Sequence, residues 1–346
     1  MRCFQGDRKM KHGKKCKIDK YTLILSVLLL LLTGLVIAWE LPQKEDRYIH
    51  VGIAVYDRSD TFMESYIREL EDKIGQTRIL GKKVSYEIYD AEGIGSRQEK
   101  QLQEMYAQDY DVMLVNLVEP ASAAGVLTDA KDADIPVILF NREIDEKDLK
   151  ISKNVWYVGT DARAAGVMQG KLLKDLWKKQ SRILDWNGNG MLDYVLVEGE
   201  ESHFDAIRRT SGFLETGAEL PLNQKGNILA EWKRELAYEK FAALDDEVVQ
   251  NVEAVICNND DMALGVYDYY KEKNLKLPVI IGINNSEEMH QKIMSGEMYG
   301  TIDNKMEDQV MEICRLMQAI LKKDTGSYQK VWYSTPKAIV KAEGTE

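Results

Sequence analysis

The sequence predicts an α/β protein of two doubly wound parallel-sheet lobes behind an N-terminal transmembrane helix. Short apolar runs rich in β-branched residues recur between 50 and 283, and amphipathic stretches of helical spacing lie between and after them. An uncharged run at 21–39 precedes them all. The chain has 346 residues, 45% hydrophobic and 30% charged, with only 6 Pro, which excludes collagen-like, disulfide-scaffold and largely disordered classes and allows two cores.

The N-terminus sets the compartment. Residues 1–20 hold eight Lys/Arg against two Asp, a net of +6, and form a basic tail that belongs in the cytoplasm. The run YTLILSVLLLLLTGLVIAW (21–39) has 19 residues. It would span about 28 Å as a helix, close to the ~30 Å hydrocarbon core. Trp39 would sit at the outer interface. The rival is a cleaved signal peptide, with a secreted or periplasmic product. Against it, AWELPQ has no small-x-small cleavage site, and no Cys follows for lipid attachment. The expectation is an uncleaved signal anchor, a polar tether at 40–47, and an extracytoplasmic body from Tyr48. The rest of the chain carries 38 basic and 55 acidic residues, a net of −17, which repels nucleic acid.

In the body the expected strands are HVGIAVY (50–56), YDVMLVNL (110–117), IPVILFN (135–141), DYVLVEG (193–199), VEAVICN (252–258) and LPVIIGI (277–283). They are near-continuously apolar, as parallel strands buried on both faces are. Helices are expected at 62–74, 97–108, 163–178 and 306–321. None of the four cysteines is in a metal-type spacing. Cys257 and Cys314 read as small buried hydrophobes, with a disulfide between them left open.

Open α/β sheets bind ligands beyond the carboxyl ends of their strands. Here those ends carry Asp57 to Phe62, Asn116, Asn141 to Glu143, Glu198 to Asp205, Asn258 to Asp261, Asn284 with Asn285, and Asn304. There is no GxGxxG and no Walker A, so no phosphate cradle is indicated. Asp, Asn and Arg beside aromatics suit a neutral polyhydroxyl ligand, whose hydroxyls both donate and accept. Each residue also has a plainer reading. Asp60 is placed as a helix N-cap, Asp205 and Arg209 as an i,i+4 ion pair, and Phe62 and Trp232 as core. The convergence of many strand ends on one chemistry favours a site.

Residues 185–193 read DWNGNGMLD. Oxygen ligands fall at loop positions 1, 3 and 5 (Asp185, Asn187, Asn189), glycine at 6 (Gly190), a main-chain carbonyl at 7 (Met191) and a carboxylate at 9 (Asp193). This is EF-hand spacing for Ca2+. Position 12 is Leu196 rather than Glu, so a remote carboxylate must close the shell. The plain alternative is a surface turn rich in Asn and Gly.

The body from about 48 to 335 resembles the type I periplasmic sugar-binding proteins, in particular the bacterial glucose/galactose-binding kind. The resemblance rests on DRSDTFM (57–63), VNLVEP (115–120), FNRE (140–143), YVGTD (157–161), the DWNGNG loop, EGEESHFDAIRRT (198–210), EWKRELA (231–237), VEAVICNNDDMA (252–263), GINN (282–285) and GTIDN (300–304), in matching order. It implies a two-lobed clamp closing on one hexose, with a monomeric body. Phe62 and Trp232 would sandwich the pyranose. Asp60, Asn116, His203, Asp205, Arg209, Asn259 and Asn304 would bond its hydroxyls, and Glu253 would complete a structural Ca2+ shell. The implied lobes are 48–133 with 304–330, and 134–303 with 331–346. The aligned family residue at Asn284 is Asp, so Asn284 loses charge-assisted strength there and leaves the preferred hexose open.

The function implied is an extracytoplasmic receptor for D-galactose or D-glucose that serves an ABC permease. The alternative is a ligand-sensing partner of a membrane sensor kinase or chemoreceptor. A hydrolase using His203, Asp60 and Asp205 is less favoured, because no nucleophile motif such as GxSxG occurs. A DNA-binding repressor is set aside, because a membrane segment stands where its helix-turn-helix would be.

Overall fold

The computed structural model describes residues 20–45 and 48–341. The chain divides into two units, Met1–Tyr48 and Ile49–Glu346. In the first, helix α1 runs Lys20–Glu45 over 26 residues. The expected tether is therefore helical as far as Glu45, where Glu, Gln and Lys favour helix. Among the described residues no helix is long and apolar enough to cross a membrane. The unbroken apolar stretch of α1 whose side chains are described, 24–35, covers about 18 Å. Positions 36–39, which complete the uncharged run and include Trp39, lie outside the described side chains, as the basic tail at 1–19 lies outside the described residues.

From Tyr48 on, the chain forms β1 (Tyr48–Val55), α2 (Thr61–Gln76), β2 (Arg78–Ile79), β3 (Lys82–Asp90), α3 (Gly95–Tyr106), β4 (Val112–Val115), α4 (Ala123–Asp132), β5 (Val137–Phe140) and β6 (Val155–Thr160). It continues with α5 (Ala162–Leu184), β7 (Leu192–Glu198), α6 (Phe204–Gly217), β8 (Leu222–Leu229), α7 (Arg234–Ala242), α8 (Asp246–Asn251), β9 (Ala254–Cys257), α9 (Asp260–Lys273), β10 (Val279–Ile283), α10 (Glu287–Ser295) and β11 (Gly300–Asp303). The last elements are α11 (Met306–Leu321), β12 (Val331–Ser334) and β13 (Lys337–Val340).

The strands form two sheets. One has the order β12-β6-β5-β4-β1-β3-β2, the other β13-β11-β10-β9-β7-β8. Pairings from β1 through β4, β5 and β6 to β12 are parallel, as are those from β11 through β10, β9 and β7 to β8. β13 and the short β2 close edges antiparallel. The continuous apolar runs are the central strands: every residue of β4, β5 and β9 is buried. Helices cover both faces. In α2, Met63, Tyr66, Ile67, Leu70 and Ile74 are buried at three- and four-residue spacing, the amphipathic pattern read from the sequence.

The lobe boundaries differ from those implied at 133–134. β5 and β6 pair inside the first sheet, so the first crossing falls at Asp161, between β6 and α5. Side-chain pattern cannot distinguish which of two sheets a buried strand joins. The second crossing falls at 304–305, between β11 and α11. The third falls at 335–336, because β12 pairs with β6 and only β13 joins the second sheet. One buried network ties the three crossings together. Thr160 Oγ1 and Ser334 Oγ donate to the Asn304 carbonyl at 2.9 and 2.7 Å, and Gln309 Nε2 reaches that carbonyl and Thr160 Oγ1 at 2.8 Å each.

Cys257 and Cys314 are both free and buried, in the cores of different lobes, so they do not pair. Cys3 and Cys16 lie outside the described residues.

Candidate ligand-binding cleft

The strand ends of both sheets meet in a cleft with about 410 Å³ of free space, its open mouth included. Eight of the ten expected contact residues line it: Asp60, Phe62, His203, Asp205, Arg209, Trp232, Asn259 and Asn284. Asn116 and Asn304 stand behind that surface. Asn116 accepts from the Tyr56 N–H at 3.3 Å and donates to the Phe140 carbonyl at 2.9 Å. Asn304 Nδ2 donates to Asn284 Oδ1 at 2.9 Å, while its own Oδ1 is buried with no partner among the described residues.

Three lining residues had no assigned role: Tyr56, Asn141 and Arg142. Their signal in the sequence was position alone, immediately after β1 and β5. Only the fold aims them at the second lobe.

The plain reading and the site reading of several residues hold together. Asp60 caps α2, its Oδ1 accepting the Met63 N–H at 2.8 Å, and still faces the cleft. Asn259 caps α9 through the Met262 N–H at 2.9 Å and donates to the Trp232 carbonyl at 2.9 Å. A helix N-terminus pointed at the cleft adds partial positive charge there. By contrast, Arg209 does not simply pair with Asp205. Its Nη1 donates to the Asn258 carbonyl at 2.6 Å, its Nε is buried without a partner among the described residues, and the guanidinium lies 5.5 Å from the Trp232 ring centre.

Charge in the cleft is buried and matched. Burial lowers the Arg209 pKa and raises that of Asp205, each opposed by the other's charge. His203 Nδ1 accepts the Asp205 N–H at 3.2 Å, so the proton of the neutral ring sits on Nε2, which is buried and has no protein partner among the described residues. Burial, reinforced by Arg142 and Arg209, pushes this imidazole down to about 2. His203 is therefore a fixed neutral donor, and its 3.5 Å approach to Asp205 is not an ion pair.

Packing holds these groups in place. α6 lies directly on α5: a Cβ on Gly166 would stand 1.9 Å from the Arg209 carbonyl, and one on Gly212 2.2 Å from that of Arg163. The Trp232 ring covers Gly199, where a Cβ would meet the ring at 2.3 Å. His203 meets that ring edge-on with centroids 5.3 Å apart.

The DWNGNG loop joins α5 to β7 on the second lobe. It brings together Asp185, Asn187, Asn189, Asp193 and the remote Glu253. Glu253 accepts the N–H groups of Asp193 at 2.9 Å and Asn187 at 3.3 Å. Asp185 Oδ2 accepts the Gly190 N–H at 3.0 Å, and its Oδ1 is buried without a partner among the described residues. Asn187 and Asn189 turn their amide nitrogens to Asp193 Oδ2 at 3.0 and 3.2 Å. Among the described residues no three His, Cys, Asp or Glu side chains are grouped as metal ligands. The donor set is of hard oxygens, and the orphaned Asp185 oxygen fits a cation.

A periplasmic binding protein domain model matches residues 51–325. The chain is 30% identical over 290 residues to the D-galactose/methyl-galactoside binding periplasmic protein MglB of Haemophilus influenzae, covering 82% of this chain and 84% of that protein. It is 27% identical over 248 residues to the galactofuranose-binding protein YtfQ of Escherichia coli, covering 69% and 74%. In fold it is similar to the Caulobacter myo-inositol binding protein, with TM-score 0.72 and 23% identity over 84% of this chain and 93% of that one. The chain belongs to the periplasmic binding protein domain family, whose members work outside the cytoplasm, and is a binding protein rather than an enzyme.

Proposed function

We propose that the protein is an extracytoplasmic receptor that closes its lobes on one neutral hexose, D-galactose or D-glucose, and delivers it to an ABC permease. The observation that carries this reading is the pairing of walls. Phe62 on α2 of the first lobe and Trp232 of the second both line a cleft whose other lining residues are Tyr, Asp, Asn, His and Arg. Apolar sugar faces stack on rings while hydroxyls take polar groups at the ring edge. Arg142 and Arg209 both have carboxylates close by, Glu200 and Asp205, so the cleft offers no surplus cation for an anionic ligand. MglB, named for galactose and methyl-galactoside, supports the hexose choice. In this reading Asn116 and Asn304 support the lining, and Asn304 Oδ1 accepts a hydroxyl.

The test is titration calorimetry of the Ile49–Glu346 unit, which has its own cores, with both hexoses. One-to-one binding of either supports the reading. No binding of either refutes the hexose assignment and makes Asn284 the first position to restore to Asp. Service to a membrane sensor remains the second use of the same clamp, favoured by the uncharged run at 21–39. That run is proposed as an uncleaved anchor, and a mature N-terminus near residue 40 by mass spectrometry would refute it.

The 185–193 loop is proposed to hold a structural Ca2+ through Asp185, Asn187, Asn189, the Met191 carbonyl, Asp193 and Glu253. When bound, the ion would cross-link the α5–β7 turn to the start of β9.

A further inference from the structure

We propose that Glu200 is a positioning residue that ties closure of the lobes to the orientation of the Trp232 ring; this rests on the sugar-receptor reading above. One carboxylate oxygen joins the two walls. Glu200 Oε1 accepts the Trp232 Nε1–H at 3.1 Å within the second lobe and an Arg142 Nη2–H at 3.0 Å from the first.

Arg142 is fixed to the first lobe without Glu200. Its Nη1 donates to the Val118 carbonyl at 2.6 Å, its guanidinium lies 3.7 Å above the Tyr56 ring, and it is only 6% exposed. Trp232 packs on Gly199 and meets His203 edge-on, and its ring N–H bonds Glu200. It sits at φ +66 just after Glu231 at φ +50, two consecutive side-chain-bearing residues in the left-handed region. Such backbone persists only where surrounding contacts select it. The indole N–H bond to Glu200 is the polar contact that sets the ring's rotation.

Glu200 lines the wide mouth of the cleft, whereas Arg142 and Trp232 line both the mouth and the inner chamber. The carboxylate therefore acts on the ligand through its neighbours. When the lobes part, Arg142 leaves with the first lobe, and Glu200 keeps only the indole and water. The Arg142 bond thus exists in the closed state alone, and a contact made in one state only is what shifts a two-state equilibrium. Closing fixes the carboxylate, and the carboxylate fixes the ring against which the sugar stacks.

The experiment compares the wild type, Glu200→Gln, Arg142→Gln and the double variant. Glutamine at 200 keeps an acceptor for the indole but removes the charge. Two readouts are used: hexose dissociation by stopped-flow indole fluorescence, and a label-to-label distance across the cleft without sugar and with it. Glu200 is 39% exposed, so the effect belongs to the range of partly solvated pairs. Dissociation should speed up about three- to five-fold in Glu200→Gln, and at least as much in Arg142→Gln, which also loses the Val118 and Tyr56 contacts. The double variant should be no faster than Arg142→Gln alone, because both substitutions remove the same charge-assisted pair. The difference should shrink in high salt, and the melting temperature of Glu200→Gln should match that of the wild type.

An unchanged off-rate in Glu200→Gln, or additive losses in the double variant, overturns the proposal. If the wild type binds neither hexose, the hexose reading fails and the cleft distance decides alone. A wider cleft in Glu200→Gln then supports the latch, and the same distance in both proteins overturns it.

Discussion

At the scale of the residue, cleft side chains serve the fold and the site at once. Asp60 and Asn259 close helix N-termini and also line the cleft. The sequence shows the first role directly, because caps have a local signature. The second role depends on what lies across the cleft. Trp232 is the clearest case. Nothing in EWKRELA says that its ring will cover Gly199 and line one cleft with Phe62 of the other lobe. Trp232→Ala should weaken hexose binding by about 1–3 kcal/mol, as loss of a well-packed aromatic at a binding hot spot does, measured by calorimetry. Unchanged affinity would show that the ring is packing and not platform.

At the scale of the element, the proposed ligands of the 185–193 loop can be read from the sequence because they are close together and spaced by the turn itself. Glu253 was not legible from spacing. It arrives at the loop because β9 pairs with β7, with Tyr194 opposite Ala254. Glu253→Gln should lower the melting temperature in calcium by several degrees, the shift about 1–2 kcal/mol produces in a chain of this size, and change it little in chelator. Equal losses in both buffers would mean that the carboxylate acts through the main-chain N–H groups it accepts and not through a metal. The six apolar strand runs were equally legible. The more polar β3 and β8 were not, since neither shows a continuous apolar run.

At the scale of the whole molecule, the loop after β5 grips the second lobe twice. Arg142 reaches Glu200, and Glu143 pairs with Arg208 of α6 while its N–H meets Asp205 at 3.4 Å. Glu143 also accepts the Tyr333 hydroxyl at 2.5 Å, and its other oxygen is buried without a partner among the described residues. Burial, helped by Asp205 and Asp161 and opposed by Tyr333 and Arg208, pushes this carboxyl up to about 7 from an ordinary 4.5. The folded protein therefore holds this proton more tightly than the unfolded chain does. Stability from this group falls as pH rises from about 4.5 to about 7, and the loss is complete above that window. Asp260, raised by burial to about 6, adds to the fall in its lower part. Glu143→Gln should flatten the decline in melting temperature between pH 5 and 8 without abolishing it. An identical slope in the variant would show that Glu143 stays ionised across that range.

By itself the sequence determined six central strands, the two-lobed parallel-sheet class, the polar strand ends and the local half of the proposed metal loop. All of these depend on short-range periodicity, caps and turn spacing, which the chain carries within a few residues. Only the tertiary structure decided where the chain changes lobes, because β5 and β6 are apolar enough for either sheet and hydrogen-bond pairing alone assigns them. It also decided that Tyr56, Asn141 and Arg142 face the cleft and that Glu200 stands between Arg142 and Trp232. The two bonds to Glu200 join residues 32 and 58 positions apart, the second across separately packed lobes, and no local pattern encodes a contact across a cleft.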